Sequence, residues 1–296
     1  MKNIGIVSVL FNSEDVIEEF FESISLQSHQ EFIIYLIDNS YKETTTKLIL
    51  TLAAKFNLVS KVNHIINDVN VGVAKGNNQG IQLALQDECE YILLANNDIV
   101  FRQKDLFIEL IAKSEKQKMV APQVLYYGTN LIWYAGGAID KYKAIAVHDN
   151  EFKDASAIPS QEGITEYAPT CFLLIHKDVF KKVGLMDEKY FVYWDDVDFI
   201  YRANKMGFRV LYVPEYIIEH KVSVSTGGST SDFSIYYSLR NRIYFIKKHF
   251  AGVAYVSSMA YTYFTNTIKF LIQKSKRKAI SKAFRDAKEM IIDTTA

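Results

Sequence analysis

The N-terminal stretch IGIVSVLFNSED, residues 4–15, sets the pattern for the first part of the chain. Its first seven residues form a continuous apolar, β-branched run, which is typical of a strand buried on both faces of a sheet. Asn12 or Ser13 then suits the N-cap of a helix, because the following apolar residues recur every three or four positions. The stretch therefore predicts a buried strand that leads into a helix.

The same alternation repeats along the first hundred residues. Strand-like runs occur at 4–10, 32–38, 61–66 and 91–95, and segments of helical periodicity follow the first three of them. Strands that alternate with helices indicate right-handed crossovers and a largely parallel sheet. The sequence therefore predicts an α/β fold with a mostly parallel central sheet flanked by helices.

The pattern changes near residue 119 to shorter strands and loops, and beyond residue 235 it becomes helical. We therefore divide the chain into a catalytic domain and a C-terminal helical extension. The predicted bounds are 1–230 for the catalytic domain, with halves at about 1–118 and 119–230, and 231–296 for the extension.

Overall charge does not indicate a partner, because 34 Lys and Arg residues balance 34 Asp and Glu residues. The distribution is uneven, however. Eight basic residues and a single acidic one, Asp286, lie between Lys269 and Lys288. Such an asymmetry is typical of a membrane or nucleic-acid contact. Two cysteines form neither a disulfide framework nor a zinc motif, so we expect a reducing, cytoplasmic compartment.

Oxygen-rich side chains follow all four predicted strands. They are Asn12, then Asp38 and Asn39, then Asn67, Asp68 and Asn70, and finally Asn96, Asn97 and Asp98. Taken alone, each group also fits an ordinary turn, where Asn and Asp are common. Ligands of parallel sheets bind outside the carboxyl ends of the strands, so together the groups predict a ligand site. The last group, in LLANNDIV (93–100), also fits a metal site.

The segment WDDVD, residues 194–198, places three carboxylates at the start of a predicted helix. One interpretation is an acidic N-terminal cap, with Asp198 paired to Arg202 one turn later. The other is a pocket, because three like charges repel one another and the aromatic run YFVYW (190–194) precedes them. An ionised Asp in a pocket acts as a general base when it accepts a proton from an attacking hydroxyl.

His220 ends the last predicted strand, where a lone histidine is more often structural. Together with Asp98 it would form a carboxylate and imidazole pair that suits Mn²⁺ or Mg²⁺, with phosphate oxygens as further ligands. The glycines Gly72, Gly76 and Gly80 match neither a dinucleotide fingerprint nor a P-loop. Their loop still leads into a helix and can hold phosphate or ribose.

In this order the motifs resemble those of the family 2 glycosyltransferases, which are inverting enzymes of the Rossmann-like GT-A fold. The resemblance is closest to the rhamnosyltransferase-like branch of bacterial cell-surface polysaccharide synthesis, and it covers about residues 3–250. It rests on VSVLFNSED, LIDNS, NVGVAKGNNQGI, LLANNDIVF, WYAGGAID, GLMDEKYFVYWDDVDFIYRANKMGFRVLYVP, His220 and RNRIYF.

The resemblance implies roles for individual residues. The residues it assigns to donor binding are Phe11, Asn12, Asp38, Asn70, Gly72, Lys75, Asn78, Asn96 and Asn97. Asp38 would contact the nucleotide base in a pocket lined by Phe11. Asn70 and Gly72 would lie near the ribose and the pyrophosphate, with Lys75 and Asn78 nearby.

The metal and the base are implied in the same way. Asp98 and His220 would hold Mn²⁺ or Mg²⁺, and Asp196 would be the catalytic base, with Asp195 as the alternative. Two positions depart from the family pattern. Asn96 replaces the first acid of the metal motif, and Asp195 replaces the usual Glu beside the base.

The implied reaction moves a sugar from a nucleoside-diphosphate sugar, either dTDP-rhamnose or a UDP-sugar, to a hydroxyl of a glycan or lipid-linked acceptor. Two alternatives stay open at this point. One is a sugar-nucleotide hydrolase or nucleotidyltransferase on a similar sheet, and the other is a non-catalytic protein that binds sugar nucleotides.

The C-terminal part contains two helical patterns. Residues 252–272 are apolar but interrupted by polar residues, so we predict a packed or interfacial helix and not a membrane span. The basic segment after it sets Ile280, Phe284, Ala287 and Ile291 on one face, which suits an interfacial helix drawn to anionic lipid on the inner face of the cell membrane. A solvated surface helix or a homodimer contact is the alternative.

Overall fold

The structure, a computed structural model, describes residues 3–159, 161–222 and 230–292. The last four residues of the predicted extension, 293–296, lie outside this range.

The strands are Ile4–Leu10 (β1), Phe32–Asp38 (β2), Val62–Ile66 (β3), Tyr91–Ala95 (β4), Ile99–Val100 (β5), Met119–Tyr126 (β6), Ile132–Tyr134 (β7), Gly137–Asp140 (β8), Ile145–His148 (β9), Gly163–Thr165 (β10), Phe172–His176 (β11) and Val210–His220 (β12). The helices are Ile17–Ser25 (α1), Glu43–Lys55 (α2), Val73–Gln86 (α3), Leu106–Lys113 (α4), Lys177–Val183 (α5), Asp195–Lys205 (α6), Asp232–His249 (α7), Gly252–Ile272 (α8) and Arg277–Glu289 (α9).

The central sheet has the strand order β10-β12-β6-β11-β4-β1-β2-β3. Strands β3, β2, β1 and β4 are parallel, as the alternation predicts, so their carboxyl ends share one edge. Strand β11 enters antiparallel between β4 and β6. The predicted α/β fold is confirmed, with the sheet mostly parallel in its first half.

Helix α3 packs closely on β1 because two of its glycines face valines of the strand. A Cβ atom at Gly80 would lie 2.4 Å from Val7, and one at Gly76 would lie 2.8 Å from Val9. Helix α1 begins at Ile17, later than the predicted cap at Asn12 or Ser13. The carbonyl of Ser13 accepts the N–H of Ile17, so a turn precedes the helix.

Strand β12 ends where the sequence pattern predicts. It continues past Pro214, with a register shift between Val213 and Ile217, and ends at His220. At this end it pairs with β5, and His220 lies opposite Ile99. The extension of the strand thus brings His220 next to the loop that carries Asp98.

The C-terminal helices pack on the sheet domain and on each other. Tyr244, Phe245 and Ile246 of α7 belong to the main hydrophobic core. The other side of α7 forms a second cluster with the buried face of α9, which includes Ile280 and Ala287. Along the parts of the chain that the structure describes, no helix combines the length and apolarity that a membrane crossing requires.

Candidate active site

The ends of β1 and β2 are joined by hydrogen bonds, as their common edge predicts. The N–H of Asn39 donates to the carbonyl of Leu10 at 2.9 Å, and the N–H of Asn12 donates to Ser40 Oγ at 2.9 Å. Phe11 projects from this edge and is 37% exposed. An exposed aromatic ring at a strand end offers a face on which a planar ligand can stack.

Asp38 lies at the end of β2 and is fully buried. Its carboxylate accepts the N–H of Ser40 at 2.7 Å and lies 3.2 Å from His64 Nε2. Burial alone would raise the pKa of Asp38, but the hydrogen bonds from His64 and Ser40 lower it below its usual value. The side chain is therefore an ionised acceptor at the edge of the sheet.

The glycine-bearing loop before α3 is tied to the strand ends. Asn70 Oδ1 accepts the N–H of Gly72 at 2.9 Å, and Asn39 Nδ2 donates to the carbonyl of Gly72 at 3.2 Å. Gly72 has a φ of +87°, and a Cβ atom there would lie 2.5 Å from the carbonyl oxygen of Phe191. Only glycine fits this position, where the loop meets the segment before α6.

Two further predicted donor residues lie on α3. Lys75 is exposed in its first turn. Asn78 is buried, and its side chain donates to the carbonyl of Met186 and accepts the N–H of the same residue, both at 2.9 Å. Asn78 thus fixes the loop that contains Met186, while its part in donor binding stays a prediction.

The three polar residues of the loop after β4, Asn96, Asn97 and Asp98, have different surroundings. Asn97 is buried and donates from Nδ2 to the carbonyl of Val9 at 2.8 Å, whereas Asn96 is exposed. Asp98 Oδ1 lies 3.2 Å from His220 Nε2. One amide therefore holds the loop against β1, and the carboxylate faces the imidazole.

The pair Asp98 and His220 fits a divalent cation. Within the described residues, Asp98 Oδ1 and His220 Nδ1 are buried and have no hydrogen-bond partner. Two ligand atoms bound side by side to one small cation lie about 3 Å apart, close to the spacing of this pair. No cluster of three or more His, Cys, Asp or Glu side chains suited to a metal occurs in the described chain.

The first turn of α6 carries Asp195 and Asp196. Asp195 is buried, and burial together with the charge of Asp196 raises its pKa to about 8. Asp196 keeps some solvent exposure, and its oxygens accept the Tyr167 hydroxyl at 2.5 Å and the Val197 N–H at 2.7 Å. Burial also raises the pKa of Asp196, against the hydrogen bond from Tyr167, which lowers it.

Asp198, the third carboxylate of this turn, is fully buried and points at the C-terminal helices. It contacts Arg202 Nε at 2.7 Å, Lys248 Nζ at 2.8 Å and His249 Nε2 at 2.7 Å. Burial alone would raise its pKa, but these groups hold the pKa of Asp198 well below its usual range. The predicted pair with Arg202 is confirmed, and the contacts with α7 add an anchor that the sequence did not indicate.

The aromatic segment before α6 has a strained backbone. Phe191, Tyr193 and Trp194 have φ angles of 55°, 63° and 71°, which non-glycine residues rarely adopt. Asn241 of α7 is fully buried and donates from Nδ2 to the carbonyls of Tyr190, Val192 and Tyr193 at 2.7, 2.8 and 2.9 Å. A single amide from the RNRIYF motif therefore holds this segment in place.

A row of aromatic rings connects the two acidic sites. We call Trp133, His148 and Tyr167 the aromatic row. The Trp133 ring lies 4.7 Å from that of His220 and 4.6 Å from that of His148, which stacks on Tyr167 at 5.7 Å. Tyr167 then bonds to Asp196. The sequence patterns indicate no role for any of these three, although Trp133 lies in the WYAGGAID motif.

Known proteins are similar to this chain in sequence and in fold. The profile of Glycosyl transferase family 2 matches residues 6–184, from β1 to the end of α5. The chain belongs to this family. It is a glycosyltransferase, as its motifs predict. The dTDP-rhamnosyl transferase RfbF of Shigella flexneri is 23% identical over 291 residues, which are 95% of this chain and 92% of that protein.

Two solved structures show the same fold. S. aureus TarS (1–349) in complex with UDP-GlcNAc gives a TM-score of 0.60 at 14% identity, and the match covers 97% of this chain and 80% of that one. The mannosyltransferase PcManGT from Pyrobaculum calidifontis, in complex with GDP-Man and Mn²⁺, gives 0.59 at 10% identity over 96% and 86% of the two chains. The GT-A architecture expected from the motifs is confirmed.

Proposed function

We propose that this glycosyltransferase moves a sugar from a nucleoside-diphosphate sugar to a hydroxyl of a glycan or lipid-linked saccharide, with inversion, in cell-surface polysaccharide synthesis. The observation that carries the proposal is that the aromatic row connects the Asp98–His220 pair to Asp196. The pair Asp98 and His220 stands at one end of the aromatic row, and Asp196 stands at the other. A donor diphosphate and an acceptor hydroxyl need such neighbouring sites.

The donor is dTDP-rhamnose or a UDP-sugar. The similarity to RfbF, which is named as a dTDP-rhamnosyl transferase, supports the first, and the UDP-GlcNAc complex of TarS supports the second. In either case Asp38 would accept a hydrogen bond from a pyrimidine N–H, while Phe11 covers the base. Asn12, Asn70, Gly72, Lys75 and Asn78 would surround the ribose and the pyrophosphate, with Asn96 and Asn97 beside them.

Asp98 and His220 would hold Mn²⁺ or Mg²⁺, as the unpartnered Asp98 Oδ1 allows. The Mn²⁺ in the PcManGT complex supports this choice of cofactor. A bound divalent cation offsets the charge that develops on the leaving nucleoside diphosphate. The chain itself orients the diphosphate through the loop that Asn97 fixes to β1.

Asp196 is our choice for the base. Two adjacent carboxyls do not readily ionise together, and the one with better hydrogen bonds keeps the charge. Asp196 accepts bonds from Tyr167 and from the Val197 N–H, whereas burial raises the pKa of Asp195 to about 8. Asp195 would therefore stay protonated near neutral pH. Asp196 would take the proton of the acceptor hydroxyl, which attacks the anomeric carbon from the face opposite the leaving group.

Product analysis tests the proposal. The protein is incubated with dTDP-rhamnose or a UDP-sugar and Mn²⁺, with and without a panel of free and prenyl-linked saccharides. We expect nucleoside diphosphate to form only when an acceptor is present, and the NMR spectrum of the product to show the inverted anomer. Release without acceptor would identify a hydrolase, and binding without release a non-catalytic protein. Either result would overturn the proposal.

A further inference from the structure

Helix α8 exposes apolar side chains along its entire length. Its 21 residues carry one charged side chain, Lys269, and its buried residues are the small Ser258 and Thr262. Large apolar residues elsewhere on the helix are 41 to 75% exposed, and we call them the α8 face: Val253, Val256, Phe264, Ile268, Leu271 and Ile272. Contiguous exposed apolar surface of this kind marks a site of interaction.

Several polar side chains of α8 donate hydrogen bonds to the backbone of the helix itself. The hydroxyls of Ser258 and Thr262 donate to carbonyls of the preceding turn at 2.6 and 2.7 Å. Thr265 and Asn266 do the same at 2.8 Å each. Because these groups are satisfied inside the helix, α8 can enter an apolar environment without leaving buried donors unpaired.

Cations cluster at the C-terminal end of the α8 face. Lys269 lies in the last turns of the helix, and Lys274, Lys276, Arg277 and Lys278 follow directly. No carboxylate occurs in the sequence between Phe250 and Arg285. The surface thus combines an apolar stripe with a mostly positive border, in which Lys276 pairs with Asp232 at 3.1 Å. This is a charge pattern that anionic headgroups complement.

The predicted lipid contact of α9 does not fit the structure. Ile280 and Ala287 of its apolar side are fully buried against α7, and Phe284 stacks on Tyr263 at 4.7 Å. Only Ile291 of the predicted face is strongly exposed, at 74%. The hydrophobic periodicity of α9 therefore serves internal packing, and the free apolar surface lies on α8.

We propose that the α8 face docks on a bilayer that contains anionic phospholipid. The exposed apolar side chains enter the boundary between headgroups and acyl chains, and the lysines after the helix contact lipid phosphates. A second copy of the chain fits less well, because its α8 face brings the same cations, and the neighbouring carboxylate of Asp232 already pairs with Lys276. The proposal rests on this surface and not on the sugar-transfer reaction.

Cosedimentation with vesicles tests the proposal without any substrate. The full chain is mixed with phosphatidylcholine vesicles, or with vesicles that contain an equal amount of phosphatidylglycerol. The test variant is Phe264→Glu combined with Leu271→Glu. The matched control is Leu50→Glu, since Leu50 is 63% exposed on α2 and Leu271 is 62% exposed on α8. Thermal unfolding checks that each protein is folded.

We expect the wild-type protein and the control to bind phosphatidylglycerol vesicles, with weaker binding to phosphatidylcholine alone and in high salt. The affinity of the test variant for these vesicles should fall at least about tenfold, because two apolar side chains can no longer be buried in the bilayer. Equal binding of the test variant and the wild-type protein would overturn the proposal, as would no binding of the wild-type protein. A dimer that light scattering detects and the test variant dissociates, without vesicle binding, would assign the surface to a second copy instead.

Discussion

Asp196 and Asp198 are separated by one residue on α6, yet they meet different neighbours. Asp196 lies beside the carboxyl of Asp195 and the hydroxyl of Tyr167, and burial raises its pKa. Asp198 meets Arg202 and Lys248, and its pKa is lowered. The residue type is the same, so the placement of cations decides that one carboxylate suits proton transfer and the other suits anchoring.

The contrast between Asp196 and Asp198 predicts that Asp196→Asn has the largest effect on turnover. Turnover should fall by about 10² to 10⁴, because the amide cannot accept the proton of the acceptor hydroxyl. Donor affinity and the melting temperature should stay close to those of the wild-type protein. Initial rates, donor titration and thermal unfolding measure the three quantities. A variant that retains turnover within tenfold of wild type would move the base to another residue.

Asp198→Asn should show the opposite behaviour. Without the carboxylate, the buried charge of Arg202 loses its ion pair and Lys248 keeps only its contact with Asp187, so the free energy of unfolding should fall by about 3–5 kcal/mol. The turnover of the folded fraction should change little. Urea unfolding and rates at low temperature test this pair of expectations. An unchanged unfolding free energy with lost turnover would reverse the roles we give to the two carboxylates.

Asn241→Ala tests whether α7 positions the segment that precedes α6. Three carbonyls of the 190–193 segment would lose the amide of Asn241 as a donor, which should cost about 1–3 kcal/mol of stability. Because this segment precedes the proposed base, Asp196, kcat should fall more than KM changes. Asn266→Ala is the matched control, since Asn266 bonds only within α8 among the contacts the structure describes. Identical kinetics of the two variants would argue against a positioning role for Asn241.

Asp195 predicts an effect of a different kind, a dependence of stability on pH. Its folded-state pKa of about 8 lies above the ordinary value of 3.8, so the folded protein retains a proton that the unfolded chain releases. The stabilisation is complete below 3.8 and is lost as the pH rises through about 8. Asp195→Asn should flatten this decline in urea unfolding across the same range. A decline of equal slope in the variant would place the raised pKa on another group.

The sequence predicts the edge of the sheet at the carboxyl ends of the parallel strands well, because local patterns determine it. The runs 4–10, 32–38 and 91–95 became strands with the predicted bounds, and the parallel arrangement brought their polar ends together. Asp98 and His220 met because β12 continues past Pro214 to pair with β5. The pairing of Asp198 with Arg202 also followed from spacing alone, since one helical turn separates the two.

Contacts between distant parts of the chain were not predictable in this way. His249 lies 51 residues from Asp198, and Tyr167 lies 29 residues from Asp196. No periodicity relates such pairs, so the aromatic row and the anchor on α7 became visible only in the fold. The amphipathic pattern of α9 predicts the helix correctly. The pattern does not indicate whether lipid or α7 covers the apolar side.

The most direct test of the account is the effect of nucleotides on thermal unfolding, with and without Mn²⁺. A ligand that binds only the folded protein raises its Tm. We predict that dTDP or UDP raises the Tm in the presence of the metal, that Asp98→Ala abolishes this increase, and that Asp198→Asn retains it from a lower starting Tm. If no nucleotide shifts the Tm of the folded wild-type protein, the polar strand ends are ordinary turns and the site does not bind a donor.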